Sequence, residues 1–188
     1  MKKAIRLAGV CAAIFSLQIL AGDSVQNFTL NDVDGNSHSL YDYKDSKAIV
    51  LMFIATRCPV SNAYNERMVE LHNAYKEKGV TFIGINSNKT EPVDEVKKHA
   101  GEKGFAFVIL KDNDNVIADR LDAKVTPEIF VLSPNLEIVY HGRIDDSQNQ
   151  ENIKTRDLQR ALDQYLNNEN IAVAHTKAFG CTIKKVTS

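Results

Sequence analysis

Ile49-Val50-Leu51-Met52-Phe53-Ile54-Ala55-Thr56-Arg57-Cys58-Pro59 is the stretch on which the reading of this chain turns. Its apolar run, 49–55, lacks the polar alternation of a half-exposed strand, so it describes a strand buried on both faces. Thr56-Arg57 ends the run. After Pro59, the residues Val60, Tyr64, Met68, Leu71 and Tyr75 recur at spacings of three and four, which predicts one amphipathic helix over 60–78 stopped by Gly79. Cys58 therefore sits at a strand-to-helix junction. Free N–H groups at a helix start, with their partial positive charge, favour a thiolate over a thiol. Thiolate is the reactive form, so the position points to redox or nucleophilic chemistry.

Working outward, Asp34-Gly35 lies between the short runs Phe28-Thr29-Leu30 and His38-Ser39-Leu40, a hairpin signal. Val80 to Ile85 reads as a second buried strand, and a helix is expected from Pro92 toward Gly101. Phe105 to Leu110 reads as a strand and Val116 to Leu121 as a short helix. Glu128 to Leu132 and Leu136 to Tyr140 read as strands around the turn Ser133-Pro134-Asn135. Ile153 to Leu166 reads as a helix, with Leu158, Leu162 and Leu166 on one face. The last twenty residues show no clear periodicity. Strands alternating with helices, then a hairpin and a helix, give an α/β fold: a central mixed sheet flanked by helices, preceded by an N-terminal β-hairpin.

The chain has 188 residues and a formal net charge of -1, which suits one domain plus a removable segment or tail. No basic excess is available to neutralise phosphates, so no nucleic-acid partner is expected. Lys2, Lys3 and Arg6 precede an apolar run from Leu7 to Ala21 that is broken only by Ser16 and Gln18. That run is short for a membrane span, which needs ~20 predominantly apolar residues, and it reads as a signal peptide over 1–22. The chain is then exported, periplasmic or secreted, and touches a membrane only if the leader stays uncleaved. Residues 23–170 form the domain and 171–188 a C-terminal tail. Removing the leader removes Cys11 and leaves Cys58 and Cys181. In an oxidising compartment these two can form a structural bridge or serve as nucleophile and resolver.

Thr126-Pro127 stands just before a buried strand. A functional proline there is expected to be cis and close to Cys58 across the sheet. At this point the chain resembles the thioredoxin-like superfamily in its peroxiredoxin-like, or redoxin, branch (alkyl hydroperoxide reductase and thiol-specific antioxidant-like). The resemblance is carried by Gly22-Asp23, Asn27-Phe28-Thr29-Leu30 and Asp34-Gly35 for the hairpin, and by Cys58-Pro59-Val60 for the cysteine site. Gly84-Ile85-Asn86-Ser87-Asn88 matches the second core strand and Thr126-Pro127-Glu128 the proline loop. Tyr140 to Asp146 and Phe179 to Lys184 resemble further segments of redoxin-like chains.

The resemblance implies a thioredoxin-like fold and a thiol-based oxidoreductase. Cys58 would be the nucleophile toward disulfides or peroxides, with Cys181 as a possible resolver. Thr126, Pro127, Pro59 and Arg57 would shape the substrate site. No cofactor or metal is implied; the five histidines lack ligand spacing. The partners would be a thiol or disulfide protein or a small-molecule reductant, with a peroxide or disulfide as substrate. Departures matter as well. Ser61 stands where thioredoxin has its second cysteine, Ala55 where peroxiredoxins have a threonine, and Asn62 where copper-delivering relatives have a cysteine. Arg57 is expected to point to solvent, and Arg143 to pair with a nearby aspartate. The alternative function is a non-catalytic redoxin-fold module held by a static Cys58–Cys181 disulfide.

Overall fold

The computed structural model describes residues 24–186. The expected leader, residues 1–22, lies outside the described residues. In chain order the strands and helices are β1 (Thr29–Asp32), β2 (Ser37–Ser39), β3 (Ala48–Phe53), α1 (Pro59–Asn62), α2 (Asn65–Tyr75), β4 (Val80–Asn86), α3 (Val93–Lys103) and β5 (Val108–Lys111). They continue with α4 (Val116–Arg120), β6 (Val125–Thr126), β7 (Glu128–Leu132), β8 (Ile138–Gly142), α5 (Asp157–Leu166) and β9 (Cys181–Thr182). Seven strands form one sheet in the order β2-β1-β5-β4-β3-β7-β8. The central β5-β4-β3 pairs are parallel, while the flanking β1, β2, β7 and β8 run antiparallel. This is the thioredoxin-like α/β fold, with the mixed sheet and N-terminal hairpin expected from the sequence.

All six residues of β3 are buried. Their alternation divides two cores. Val50 and Met52 join Phe82, Val131, Met68, Val96, Leu158 and Leu162 on the face covered by α2, α3 and α5. Ile49, Leu51 and Phe53 join Ile83, Ile85, Phe130, Leu132 and Ile117 on the face covered by α4. A strand apolar at every position is thus the consequence of a sheet covered on both sides.

Four expectations shift. The single helix expected over 60–78 is two helices, α1 and α2, with a break at Ala63-Tyr64, and a 3-10 turn over 76–78. The stripe still works: Tyr64, Met68 and Tyr75 are buried, and Val60 and Leu71 pack against the same core. The strand expected at 105–110 is shorter, 108–111, and the one expected at 136–140 lies at 138–142 because Leu136 takes a left-handed conformation (φ 63°). The last helix begins at Asp157 instead of Ile153, after a 3-10 turn at 150–152. Gly79 stops its turn as expected, with φ 88°, a conformation that costs glycine least.

The tail acquires structure through partners distant in sequence. The backbone N–H of His141 donates to Ala174 O at 2.9 Å, and that of Thr176 donates to His141 O at 3.0 Å. Ile183 is buried in the α4-side core. Strand β9 pairs antiparallel with β6, Val125 opposite Thr182 and Thr126 opposite Cys181. Among the described residues no helix is long and apolar enough to cross a membrane.

Candidate active site

Cys58 caps α1. Its backbone is extended (φ -79°, ψ 116°), Pro59 takes the first helical position, and the Ser61 N–H donates to Cys58 Sγ at 3.3 Å. Proline suits that position, where its missing N–H would have had no partner. Because α1 is only a four-residue turn, the sulfur feels a local N–H donor and little of the long helix dipole expected from the sequence. Cys58 itself is buried, and its thiol donates to the Thr126 carbonyl at 3.3 Å.

The opposite wall comes from the proline loop. Thr126-Pro127 is a cis peptide. Pairing with β9 sets Cys181 across from Thr126, which places its thiol against Cys58. Both cysteines are free, Cys58 buried and Cys181 partly exposed. Burial pushes the Cys58 thiol up, but the Cys181 thiol, the Ser61 N–H and the Thr126 side chain together outweigh it and hold Cys58 below its ordinary value. Burial and the neighbouring Cys58 sulfur push Cys181 the other way, above its ordinary value. Of the two adjacent thiols, Cys58 is therefore the one that gives up its proton more readily.

The loop before Cys58 is held from below by charged residues. Glu91, only 3% exposed, accepts from the backbone N–H groups of Thr56 at 2.9 Å and Arg57 at 3.0 Å. Asn86 Nδ2 donates to the same carboxylate at 2.6 Å, and Lys111 Nζ donates to Asn86 Oδ1 at 2.6 Å and Asn88 O at 2.8 Å. Burial lowers the pKa of Lys111, against the pull of Glu91 and Asp112. Ser61, where a second cysteine would stand in a dithiol motif, is fully buried and accepts from Ala55 N at 3.2 Å. The proline loop has its own anchor. Buried Glu128 accepts from Lys124 N at 2.8 Å, Val125 N at 3.1 Å and His141 Nε2 at 2.7 Å.

The structure brings Cys58, Cys181 and Thr126 together in one cleft of about 280 Å³, also lined by Arg57, Asn88 and Glu91. Pro127 is buried behind Thr126, and Pro59 is exposed at the start of α1. Arg57 points outward as expected and is committed elsewhere: Nε donates to Glu95 Oε1 at 2.8 Å, and Nη2 also bonds that carboxylate. Thr56 Oγ1 donates to Glu95 Oε1 at 2.6 Å, so its hydroxyl serves the same pair. The Arg57 and Thr56 hydrogen bonds hold the Glu95 carboxyl down at about 2. Arg143 does form an arginine–aspartate pair, with Asp157 at 2.8 Å. Its neighbour Asp145 pairs instead with Arg67 at 2.6 Å. Sequence reasoning missed Glu91 and Lys111, and it quoted Glu128 in the proline-loop motif without giving it a role. Asn86 and Asn88 stood in a quoted motif, but nothing local says that β4 ends beneath the cysteine loop.

The alkyl hydroperoxide reductase and thiol-specific antioxidant pattern, AhpC/TSA, matches residues 21–141. The chain belongs to the AhpC/TSA family. Within this AhpC/TSA chain the match ends at His141, before α5 and the tail that carries Cys181. A curated relative, the thiol-disulfide oxidoreductase ResA of Halalkalibacterium halodurans, is 31% identical over 119 residues, 63% of this chain and 66% of ResA. The chain thus spans about two thirds of that relative's length. An uncharacterized conserved protein from Geobacillus kaustophilus superposes with a TM-score of 0.84 at 34% identity, over 89% of this chain and 93% of that one. The thioredoxin domain of a thiol-disulfide oxidoreductase from Bacteroides vulgatus superposes with a TM-score of 0.58 at 23% identity, over 64% and 86%, a likeness of fold alone.

Proposed function

We propose that this AhpC/TSA chain is an exported thiol–disulfide oxidoreductase, with Cys58 as nucleophile and Cys181 as resolver. The carrying observation is the β6–β9 register, which sets Cys181 opposite Thr126 with its thiol on the Cys58 sulfur. The ResA relatives, themselves named thiol-disulfide oxidoreductases, support the same reaction class.

The steps balance without a cofactor. Cys58 thiolate attacks one sulfur of a substrate disulfide, forming a mixed disulfide and releasing the other half as a thiolate, which takes a proton. Cys181, deprotonated, then attacks Cys58 Sγ. The Cys58–Cys181 disulfide forms and the second half of the substrate leaves as a thiol. A thiol reductant, protein or small molecule, returns the pair to its reduced state. Thr126 and Pro127 form the wall against which the attacking sulfur is held, and Arg57 lies at the rim. With a peroxide, Cys58 would become a sulfenic acid and the Cys181 thiol would condense with it, releasing water. That route is the less supported one: Ala55 carries no hydroxyl and Thr56 gives its own to Glu95.

Export rests on the basic start and apolar run of residues 1–22. The mass of the mature chain tests it, together with the proposed division into leader, domain over 23–170 and tail over 171–188. The competing function is a static bridge, which the anchoring of β9 favours. Two measurements separate them. Cys58→Ser must abolish turnover of disulfides and peroxides, and unchanged activity would end the proposal. The reduction potential of the Cys58–Cys181 pair must also be more oxidising than about -300 mV, below which structural disulfides lie.

A further inference from the structure

Strand β6 is a two-residue edge, Val125-Thr126, directly before Pro127 and against Cys58. An extended chain that adds to such an edge gains main-chain hydrogen bonds, and its register decides which side chain meets the site. In this protein the added strand is its own tail. The register of β9 delivers a cysteine, Cys181, to Cys58. A foreign cysteine peptide pairing with the same edge would need the same seat.

That seat is tightly held. Ile183 N donates to Lys124 O at 2.9 Å, Lys184 N to Asn88 Oδ1 at 2.7 Å, and Lys89 N to Lys184 O at 2.9 Å. Ile183 is 3% exposed, and Phe179 packs edge-on against Tyr64 with ring centroids 6.2 Å apart. Gly180 lies so close to the Thr126 carbonyl that a Cβ there would stand 2.0 Å from its oxygen. The approach left to Cys58 is the cleft of about 280 Å³ between Arg57, Asn88, Thr90, Glu91 and Lys184. That volume is at or below the small end of the usual ligand-pocket range of roughly 300–1,000 Å³.

We propose that β9 occupies the seat of a substrate strand in the dominant state of the protein, so that the intact chain exchanges with low-molecular-weight disulfides entering through the cleft in preference to extended cysteine peptides. The inference rests on the exchange reading above and adds its substrate class. The reaction is the first step already written: Cys58 joins one half of the small disulfide, and the other half leaves as a thiol.

The test uses the full mature chain carrying Cys181→Ser, which keeps the tail and lets the mixed disulfide on Cys58 accumulate. Its formation is followed by intact mass with 2-hydroxyethyl disulfide and with an extended cysteine peptide joined to a second copy by its disulfide. Each rate is divided by the rate of the same reagent with N-acetylcysteine amide, which removes intrinsic reactivity. If a minor state with β9 lifted is populated at about 0.1–10%, the peptide's relative rate falls about tenfold to a thousandfold below that of the small disulfide. Equal relative rates overturn the inference and leave the exchange reading standing. A Cys58 that reacts with neither reagent overturns both. Ile183→Asp in the same background, which withdraws the buried anchor of β9, is expected to raise the peptide rate and leave the small-disulfide rate nearly unchanged. A folded Ile183→Asp protein with no gain for the peptide counts against the inference.

Discussion

Thr126 and Cys181 face each other across an antiparallel pair of two-residue strands, and the Thr126 carbonyl accepts the Cys58 thiol at 3.3 Å. One residue therefore touches both sulfurs' surroundings: its backbone pairs with the strand of one and accepts from the side chain of the other. The geometry couples the C-terminal tail to a site built by β3, α1 and the proline loop.

The two thiols should titrate in opposite directions from an ordinary cysteine. Cys58 lies below its usual value and Cys181 above, so as pH rises Cys58 loses its proton first. Alkylation of Cys58 should rise through a midpoint below that of a free cysteine. In Cys181→Ala the donor is gone and the midpoint should move up. Iodoacetamide labelling across pH, read by peptide mass, checks this; a midpoint that stays put would show that Cys181 does not stabilise the thiolate.

Gly180→Ala should loosen the β6–β9 pair. Its Cβ cannot stand 2.0 Å from the Thr126 oxygen, so one strand must move. Overpacking of this kind costs about 1–3 kcal/mol. The expected results are a lower denaturant midpoint and slower closure of the Cys58–Cys181 disulfide under a fixed oxidising buffer. Wild-type closure in this variant would mean that the close approach is unimportant for the pair.

Glu91→Gln should destabilise the cysteine loop. The carboxylate accepts three hydrogen bonds, from Thr56 N, Arg57 N and Asn86 Nδ2, and an amide can present only one acceptor oxygen. An N–H left unsatisfied in a buried place costs about 1–3 kcal/mol, and Lys111 loses a nearby negative charge. Urea unfolding should register the loss, and Cys58 labelling should become faster because the loop opens. No change in either would contradict the role given to Glu91.

Arg67→Met should be strongly destabilising while sparing the thiol chemistry. Arg67 and Asp145 are almost wholly buried and 2.6 Å apart, and Tyr64 also donates to Asp145 at 3.0 Å. Removing one partner of a buried ion pair costs about 3–5 kcal/mol, since a charge is left alone. Thermal unfolding measures the cost. Below the transition, Cys58 labelling at fixed pH should match the parent chain, and a large change in labelling would tie Arg67 to the site.

Much of the fold was legible in the order of residues because its signals are local. The unbroken apolar run of β3 marked a strand covered on both faces, and Gly79 marked the stop before β4. Cys58 stood out because a strand end, a cysteine and a proline at a helix start are adjacent in the chain. The break at Ala63-Tyr64 was not legible, since a stripe at spacings of three and four survives a change of helix axis when the same core receives it.

The sequence by itself determined the sheet's covered centre, the hairpin, the cysteine at its junction and the Thr-Pro pair, all of which depend on neighbours within a few positions. The tertiary structure alone decided that Glu91 and Lys111 support the cysteine loop, that His141 reaches Glu128, and that Cys181 reaches Cys58. Those contacts join residues up to 123 positions apart, Cys58 to Cys181 by subtraction of their numbers. Hydrogen-bond and strand partners at such separations leave no periodicity in the chain. They exist because the sheet order brings the ends of β3, β4 and β7 side by side and leaves one short edge, β6, for the tail to fill.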